Sequence, residues 1–210
     1  MPEATVPLRC TCGSVAGSAR VSPSSGVRLV CMCDDCQTYA HALGHADVIL
    51  DAHGGTDLFQ STPAWITLEE GTDQIRCMRL GPRGPLRFHT GCCSSPIANV
   101  IANPRVPFAS VFHTLFDLES PEAREAALGP IRGRVNGKFG KHPLPAGSAE
   151  SVRPGTLARS FWNIARGYLR GEARPSPFFD DRGEPVVEPV LIDLEERKRC
   201  RALAGFPSAR

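Results

Sequence analysis

Short apolar stretches separated by turn residues fill the first hundred-odd positions of the chain. Apolar side chains mark the segments at residues 27–30, 64–68, 74–80 and 86–89, and residues 107–116 form a longer apolar run. Gly, Pro and Asp lie between these stretches, as in the Glu70–Asp73 turn. Runs of this length bounded by turn residues are typical of β-strands. The pattern therefore predicts a mainly β fold for this part of the chain.

The pattern becomes helical after residue 116. Ser120 followed by Pro121 predicts the start of a helix, and Gly129 predicts its end. Residues 133–151 are rich in Gly, Pro and Lys and predict an exposed loop. Residues 157–168 have apolar side chains at helical spacing, and we expect Phe161 and Trp162 to dock this helix on the rest of the protein. Residues 186–192 are predicted to be extended, before a last helix capped by Asp193.

These patterns divide the chain into two predicted parts. Residues 5–116 would form a β-rich domain, and residues 117–210 a partly helical C-terminal extension packed on it. A chain of 210 residues is long enough to bury a substantial core. Its net charge of +2 and pI near 8.1 argue against a nucleic-acid partner. No run of about 18 apolar residues suggests a membrane span, so we expect no membrane partner. The oligomeric state stays open.

Cysteine is the residue type that changes this picture. The chain has nine cysteines, and seven of them fall into three clusters: Cys10 with Cys12, the triplet Cys31, Cys33 and Cys36, and Cys92 with Cys93. The N-terminus shows no basic patch followed by an apolar run, so we expect a cytoplasmic protein. In a reducing compartment, clustered thiols indicate metal ligands more strongly than disulfides.

The triplet supplies three thiols within six residues. A predicted strand leads into it, and Asp34 is predicted to cap a short helix that runs to about His41. This arrangement lets the three sulfur atoms converge near the positive end of a helix, which favours thiolates. A structural zinc site normally has four protein ligands, whereas a catalytic zinc site keeps one position open. Three thiolates on Zn²⁺ leave a net charge of −1, which suits the binding of a fourth thiolate better than hydrolysis.

A second site can form from the other two clusters. Cys10-Thr11-Cys12-Gly13 is a minimal metal-binding turn, and Cys92-Cys93 is its candidate second half. Neighbouring side chains on an extended segment point in opposite directions. We therefore expect one of the two adjacent cysteines to bind this metal, Cys93 before Cys92, with His89 as a third candidate. The other cysteine would pack in the interior, pair with another group or bind the metal of the triplet. If Cys92 turned toward the triplet, it would fill the open fourth position of that site.

The order and spacing of these clusters resemble the glutathione-dependent formaldehyde-activating enzyme and centromere protein V family. The resemblance covers about residues 8–105. It depends on Cys-x-Cys-Gly near the N-terminus, Cys-x-Cys-x-x-Cys at 31–36, and an Arg-x-aromatic motif followed by cysteine and small-x-Pro at 87–96. It implies an Mss4-like zinc-binding β fold. It also implies a structural zinc ion at Cys10 and Cys12 and a catalytic one at Cys31, Cys33 and Cys36.

Two positions depart from that family pattern. The family usually shows Arg-x-Phe-Cys-x-x-Cys, and Thr90 stands here at the first of those two cysteines. Cys92 or His89 must replace the missing ligand if this zinc ion is four-coordinate. After the triplet, residues 37–39 are Gln, Thr and Tyr, where basic residues are common in the family. This difference affects the substrate site that the resemblance implies.

The function that this resemblance implies is a carbon–sulfur lyase. Such an enzyme forms or breaks S-hydroxymethylglutathione from glutathione and formaldehyde, with two zinc ions bound to the chain. His41 and His45, just after the triplet, are candidates for moving the proton. The alternative is a non-catalytic zinc-binding interaction module, which needs no open metal position.

Overall fold

The computed structural model describes residues 3–23 and 26–207. The strands are β1 Ala4–Arg9, β2 Ala16–Val21, β3 Val27–Cys31, β4 Thr56–Ser61, β5 Ile66–Glu70, β6 Ile75–Arg79, β7 Leu86–Thr90, β8 Pro96–Val100, β9 Ala109–Phe112, β10 Gly133–Val135 and β11 Val190–Leu191. The helices are α1 Asp34–Ala42, α2 Ala46–Ile49, α3 Pro121–Leu128, α4 Pro154–Leu169 and α5 Leu194–Leu203.

The strands form two sheets. The smaller sheet has the order β1-β2-β5, and the larger has the order β10-β3-β4-β9-β8-β7-β6-β11. All neighbours pair antiparallel except at the two edges of the larger sheet, where β10 lies parallel to β3 and β11 lies parallel to β6. Both edge strands come from the C-terminal part of the chain, which therefore completes the larger sheet. The predicted boundary at residue 116 stays a prediction.

Apolar side chains cover both faces of the larger sheet, and strand β4 shows the alternation. Phe59 belongs to the core between the two sheets, together with Val6 and Val21 of the smaller one. The preceding residue, Leu58, points to the opposite face and packs in the core around Tyr39 of α1. Because successive side chains of a strand point to opposite faces, one strand contributes to both cores.

Over the described residues, the fold is mixed α/β with eleven strands in two sheets, which supports the mainly β prediction in part. Helix makes up 29% and strand 28% of the structure, so neither type dominates. The patterns at residues 27–30, 74–80 and 86–89 correspond to β3, β6 and β7, and the predicted helices begin and end close to α3, α4 and α5. The Mss4-like topology remains a prediction. Among the described residues, no helix is both long enough and apolar enough to cross a membrane.

Residues 133–151 are not the featureless loop that their composition predicts. They contain β10, whose Val135 lies opposite Cys31 in the parallel pair with β3. A three-residue strand paired with a segment about a hundred positions away leaves little local signal, since its stability comes from the partner strand.

The docking of α4 also differs from the expectation. Phe161 and Trp162 are 61% and 68% exposed, whereas Asn163 and Gly167 are buried. Gly167 permits this arrangement, because a Cβ atom there would lie 2.9 Å from Pro107. The helix thus packs through its small and polar side chains and turns its large apolar side chains to solvent.

Candidate metal centres

Four cysteines from two distant segments come together in the fold. Cys10 and Cys12 follow β1, and Cys92 and Cys93 lie in the turn between β7 and β8. Their sulfur atoms all lie within 4.8 Å of one another. The Cys10–Cys12, Cys12–Cys92, Cys10–Cys92 and Cys92–Cys93 Sγ distances are 3.6, 3.4, 3.9 and 3.8 Å. We call these residues the four-thiol cluster.

These distances fit a tetrahedral metal ion. With metal–sulfur bonds of about 2.3 Å, the sulfur atoms of a four-cysteine zinc site are about 3.8 Å apart. A disulfide would need about 2.05 Å between two sulfur atoms, and all nine cysteines are free in the structure. The cluster is therefore a group that could hold a metal ion with four thiolate ligands.

Both adjacent cysteines point into this cluster, which differs from our expectation that only one would. The expectation assumed an extended segment, but Gly91, Cys92 and Cys93 form a turn. Ser94 follows in the left-handed region at φ 53°. Side chains alternate only along extended backbone, so two neighbours in a turn can face the same point. Cys92 lies beside Cys10 and Cys12 and does not turn toward the triplet.

Hydrogen bonds hold the two halves of the cluster together. Ser95 Oγ accepts from the Thr11 amide at 3.0 Å and lies 3.2 Å from Cys93 Sγ. Thr90, which stands where the resembled family has a cysteine, is fully buried. Its hydroxyl accepts from the Ser95 amide at 3.0 Å and lies 3.4 Å from Cys93 Sγ. Thr90 therefore supports the metal-binding turn through hydrogen bonds.

The same hydrogen bonds change the acidity of the thiols. Burial opposes ionisation of Cys93, but its hydrogen bonds with Ser95 and Thr90 outweigh burial and lower its pKa to about 5. Burial raises the pKa of Cys10. A hydrogen bond with Ser14 also lowers the pKa of Cys12, so Cys93 and Cys12 are the thiols of this cluster that ionise more readily, and thiolates are the form that binds zinc.

The triplet is the second convergent group. Cys31 ends β3, Cys33 is the N-cap of α1, and Cys36 lies in its first turn. Their three sulfur atoms lie within 4.8 Å of one another. Across residues 3–23 and 26–207, no further His, Cys, Asp or Glu completes this group. Cys33 accepts the Cys36 amide at 3.4 Å, so the cap is a cysteine and not the predicted Asp34.

A buried arginine lies beside the triplet. Arg87 on β7 is only 3% exposed, donates to Asn99 Oδ1 at 2.9 Å and lies 5.1 Å over the Tyr39 ring. Hydrogen bonds from Cys31 and Cys33, followed by the Arg87 guanidinium, hold the pKa of Cys36 well below its usual range. One buried positive charge next to three thiols matches the net −1 charge of a divalent ion with three thiolates.

The C-terminal half of the chain also reaches the triplet. Asn136 follows β10 and donates from Nδ2 to Cys31 Sγ at 3.3 Å. The parallel register that sets Val135 opposite Cys31 brings this amide next to the thiol. Asn136 has φ 60°, a conformation that asparagine tolerates better than most residues. Nothing in the sequence near the triplet indicates this contact, and we did not predict it.

The candidate proton carriers lie elsewhere. His41 is in the last turn of α1, whereas the triplet is at its first turn. His45 Nε2 contacts the Cys93 carbonyl at 3.0 Å, so it belongs to the four-thiol cluster's surroundings. His89 packs edge-on against Tyr39 and is in neither group of thiols. Gln37, Thr38 and Tyr39 are fully buried, so these side chains fill the interior behind α1.

A family model described as a family of unknown function, DUF6151, matches residues 3–190. The chain belongs to this family. The DUF6151 match includes both groups of thiols, Arg87 and Asn136, and it ends before α5. No curated protein matches the chain.

Proposed function

We propose that this protein binds two zinc ions, one in the four-thiol cluster and one in the triplet. The observation that supports the proposal is the convergence of seven thiols from three separate segments of the chain into two compact groups. Thiolate ligands favour zinc among the common divalent metals, and the distances in the four-thiol cluster match its tetrahedral geometry. Since thiolates must stay reduced for this role, we propose a reducing compartment such as the cytoplasm.

The two sites have different roles in this proposal. The four-thiol cluster has a full set of four ligands, as a structural zinc site does. It links the end of β1, in the smaller sheet, to the β7–β8 turn in the larger sheet. The triplet supplies three ligands, and its fourth position is available to a substrate. Cys31 and Cys36 are 9% and 5% exposed, and Cys33 is half-buried, so a substrate approaches from the Cys33 side.

The substrate class we propose is a small thiol such as glutathione, together with formaldehyde. A zinc ion held by Cys31, Cys33 and Cys36 would supply the positive charge that keeps the incoming thiol ionised. Arg87 balances the charge of the three ligands, and Asn136 fixes the orientation of Cys31. The thiol sulfur bonds to the carbonyl carbon and a proton is added to the oxygen, which gives a hydroxymethyl thioether. The resemblance of the cysteine clusters to the formaldehyde-activating family supports this choice.

A second candidate is a non-catalytic zinc module. The burial of Cys31 and Cys36 favours it, because a site with little exposed sulfur gives a substrate little access. In that case the triplet would bind metal for stability alone.

Metal content and thiol exchange distinguish the two candidates. Purified protein should contain about two zinc ions per chain, and Cys33→Ser about one. Exchange between glutathione and formaldehyde, followed by NMR, should be faster with wild-type protein than with Cys33→Ser at equal concentration. If the protein contains two zinc ions but exchange occurs at the uncatalysed rate, the lyase proposal is excluded and the zinc-binding module is the remaining function. Less than one zinc ion per chain would refute both.

A further inference from the structure

Helix α4 presents an exposed apolar face that has no role in the two metal centres. Its members are large side chains that expose roughly half or more of their area: Leu157 at 45%, Phe161 at 61%, Trp162 at 68%, Tyr168 at 52% and Leu169 at 87%. Ala158 and Ala165 are exposed between them. We call these seven residues the α4 face.

This face belongs to a well-anchored helix. On its inner side, Ser160 Oγ donates to Gln60 Oε1 at 2.7 Å, and Gln60 Nε2 donates to the Ser160 carbonyl at 3.2 Å. Beyond the helix end, the Ala64 amide donates to the Glu172 carbonyl at 3.1 Å. The apolar side is therefore presented by a fixed element, and rotation of the helix would break these contacts.

The exposed apolar area of the α4 face is comparable to the area that one partner buries in a small protein–protein interface. Aromatic side chains bury about 150–250 Å² each, so covering this face would remove on the order of 600 Å² from water on one partner. A typical stable interface buries about 800 Å² per partner, and the largest apolar patch of a typical monomer is about 300–600 Å². The α4 face with its rim is therefore large enough for a stable contact.

The order of large and small side chains points to a second copy of the same chain. Along the helix, Ala158 precedes Phe161 and Trp162, and Ala165 precedes Tyr168 and Leu169. From Ala158 onward the sequence of sizes is small, large, small, large, and reversing its direction gives large, small, large, small; Leu157, at the start of the face, then meets Leu169 at its end. An antiparallel copy thus sets each pair of large side chains opposite an alanine, as close packing requires. A parallel copy would set large against large.

We propose that the protein forms a twofold-symmetric dimer through antiparallel packing of α4 against α4 of the second copy. Ala165 lies opposite Phe161 and Trp162 of the other copy, and Ala158 lies opposite Tyr168 and Leu169. A twofold axis through the middle of the helix makes the contact self-complementary, as in most homodimers. This inference is independent of the metal sites.

The arginines beside the face give the dimer a distinctive salt dependence. Arg159, Arg166 and Arg170 lie along one edge of the apolar face, α4 contains no acidic residue, and Glu172 just beyond the helix lies 3.8 Å from Arg170. The antiparallel symmetry places the basic edges of both copies on the same side. Salt screens this repulsion, so the dimer should become tighter between about 0.1 and 0.5 M NaCl. Binding of the same face to an anionic membrane or a nucleic acid would weaken over that range.

The oligomeric state of the zinc-loaded full chain is the first test. Light scattering after gel filtration should give twice the monomer mass of 22.6 kDa. Leu169→Glu should weaken association at least tenfold with unchanged zinc content and circular dichroism. Leu203→Glu is the matched control, since Leu203 is also an exposed leucine at the last position of a helix, α5, and should leave the dimer intact.

A charge-pairing experiment tests the direction of packing. Ala158→Glu and Leu169→Lys should each weaken the dimer, and mixing the two variants should restore a heterodimer, because residue 158 faces residue 169 of the other copy only in the antiparallel arrangement. A wild-type chain that is monomeric at about 100 μM would overturn the proposal. It would also be overturned if Leu169→Glu stayed dimeric, or if the monomer bound anionic vesicles or nucleic acid through this face instead.

Discussion

Arg87 is a buried cation whose surroundings explain its position. Its guanidinium is bonded to Asn99, lies over the Tyr39 ring and faces the thiol of Cys36. A buried charge is costly unless it is paired, and the remaining negative partner here is the thiolate group of the triplet. Metal binding at the triplet and burial of Arg87 therefore favour each other.

Arg87→Gln should weaken metal binding at the triplet and leave the four-thiol cluster occupied. Residues that orient or balance metal ligands typically change metal affinity by about 10–100-fold when they are replaced. Competition with a chromogenic chelator would show one tightly held and one weakened zinc ion per chain. Arg79→Gln, on the neighbouring strand β6, is the control and should keep both ions. Equal loss from both sites in Arg87→Gln would contradict this role.

His113 gives a pH dependence with a defined sign. Its side chain is partly buried, its Nδ1 contacts the Asp57 carbonyl at 3.2 Å, and burial lowers its pKa below 6.5. Below about pH 6.5 the unfolded chain therefore binds a proton that the folded chain does not. This contribution to stability is complete above pH 6.5 and decreases as the pH falls toward the lowered pKa.

Urea unfolding at pH 7.5 and 5.5 checks this sign. Wild-type protein should lose more stability between the two values than His113→Gln, and zinc release affects both proteins equally. An identical loss in both would show that His113 does not titrate on unfolding.

At the scale of single residues, the sequence identifies which cysteines belong together better than it identifies what surrounds them. Seven clustered cysteines were singled out by spacing, and the structure groups all seven. The convergence of Cys92 with Cys93 was missed because it depends on a turn rather than on residue type. Asn136 was missed because it approaches Cys31 from 105 positions away.

Among the elements, α1 depends on α5 for its position. Arg201 Nη1 donates to Asp34 Oδ2 at 2.7 Å, with side chains only 13% and 26% exposed, at the end of α1 that holds Cys33 and Cys36. Arg199, on the same helix, pairs with Glu196 one turn away and is 59% exposed. Arg201 thus links α5 to α1, whereas Arg199 forms its ion pair within α5.

Arg201→Ala should destabilise the zinc-loaded protein by about 1–2 kcal/mol, because a partly buried, charge-assisted hydrogen bond is lost. Arg199→Ala should cost about 0–0.5 kcal/mol, the usual contribution of an exposed pair within one helix. Urea unfolding of both variants measures the difference. Equal effects would mean that α5 does not fix the start of α1.

Local signals predicted the elements whose ends have specific chemistry, and missed β10, which depends on a distant partner strand. Ser120 accepts the Ala123 amide at 3.1 Å and Gly129 ends α3, as predicted. Asp193 caps α5 through the Glu195 and Glu196 amides. Strand β10 has three residues and is an edge strand parallel to β3, whereas the two-residue β11 lies within residues 186–192, which are predicted to be extended.

For the whole molecule, the four-thiol cluster would link the two sheets through a metal ion, in addition to the apolar core that lies between them. Removal of zinc by a strong chelator should therefore unfold the protein, since a structural zinc site can contribute on the order of 10 kcal/mol to folding. Cys12→Ser should give little folded protein, whereas Cys33→Ser should fold and lack one zinc ion. Circular dichroism and zinc analysis of both variants check this. Equal collapse of the two would contradict the division into a structural and an open site.

Strand β7 has a consequence for the order in which the two metals are acquired. Its last residue, Thr90, contacts the Cys93 thiol, while Arg87, three positions earlier, faces the triplet. Arg87 is held in register by the pairing of β7 with β6 and β8, and a metal ion in the four-thiol cluster would fasten the turn that joins β7 to β8. Zinc acquisition should then be sequential, with the first equivalent closing the turn and the second entering a pocket already formed, so that partly supplied cells would contain half-metallated, folded chains.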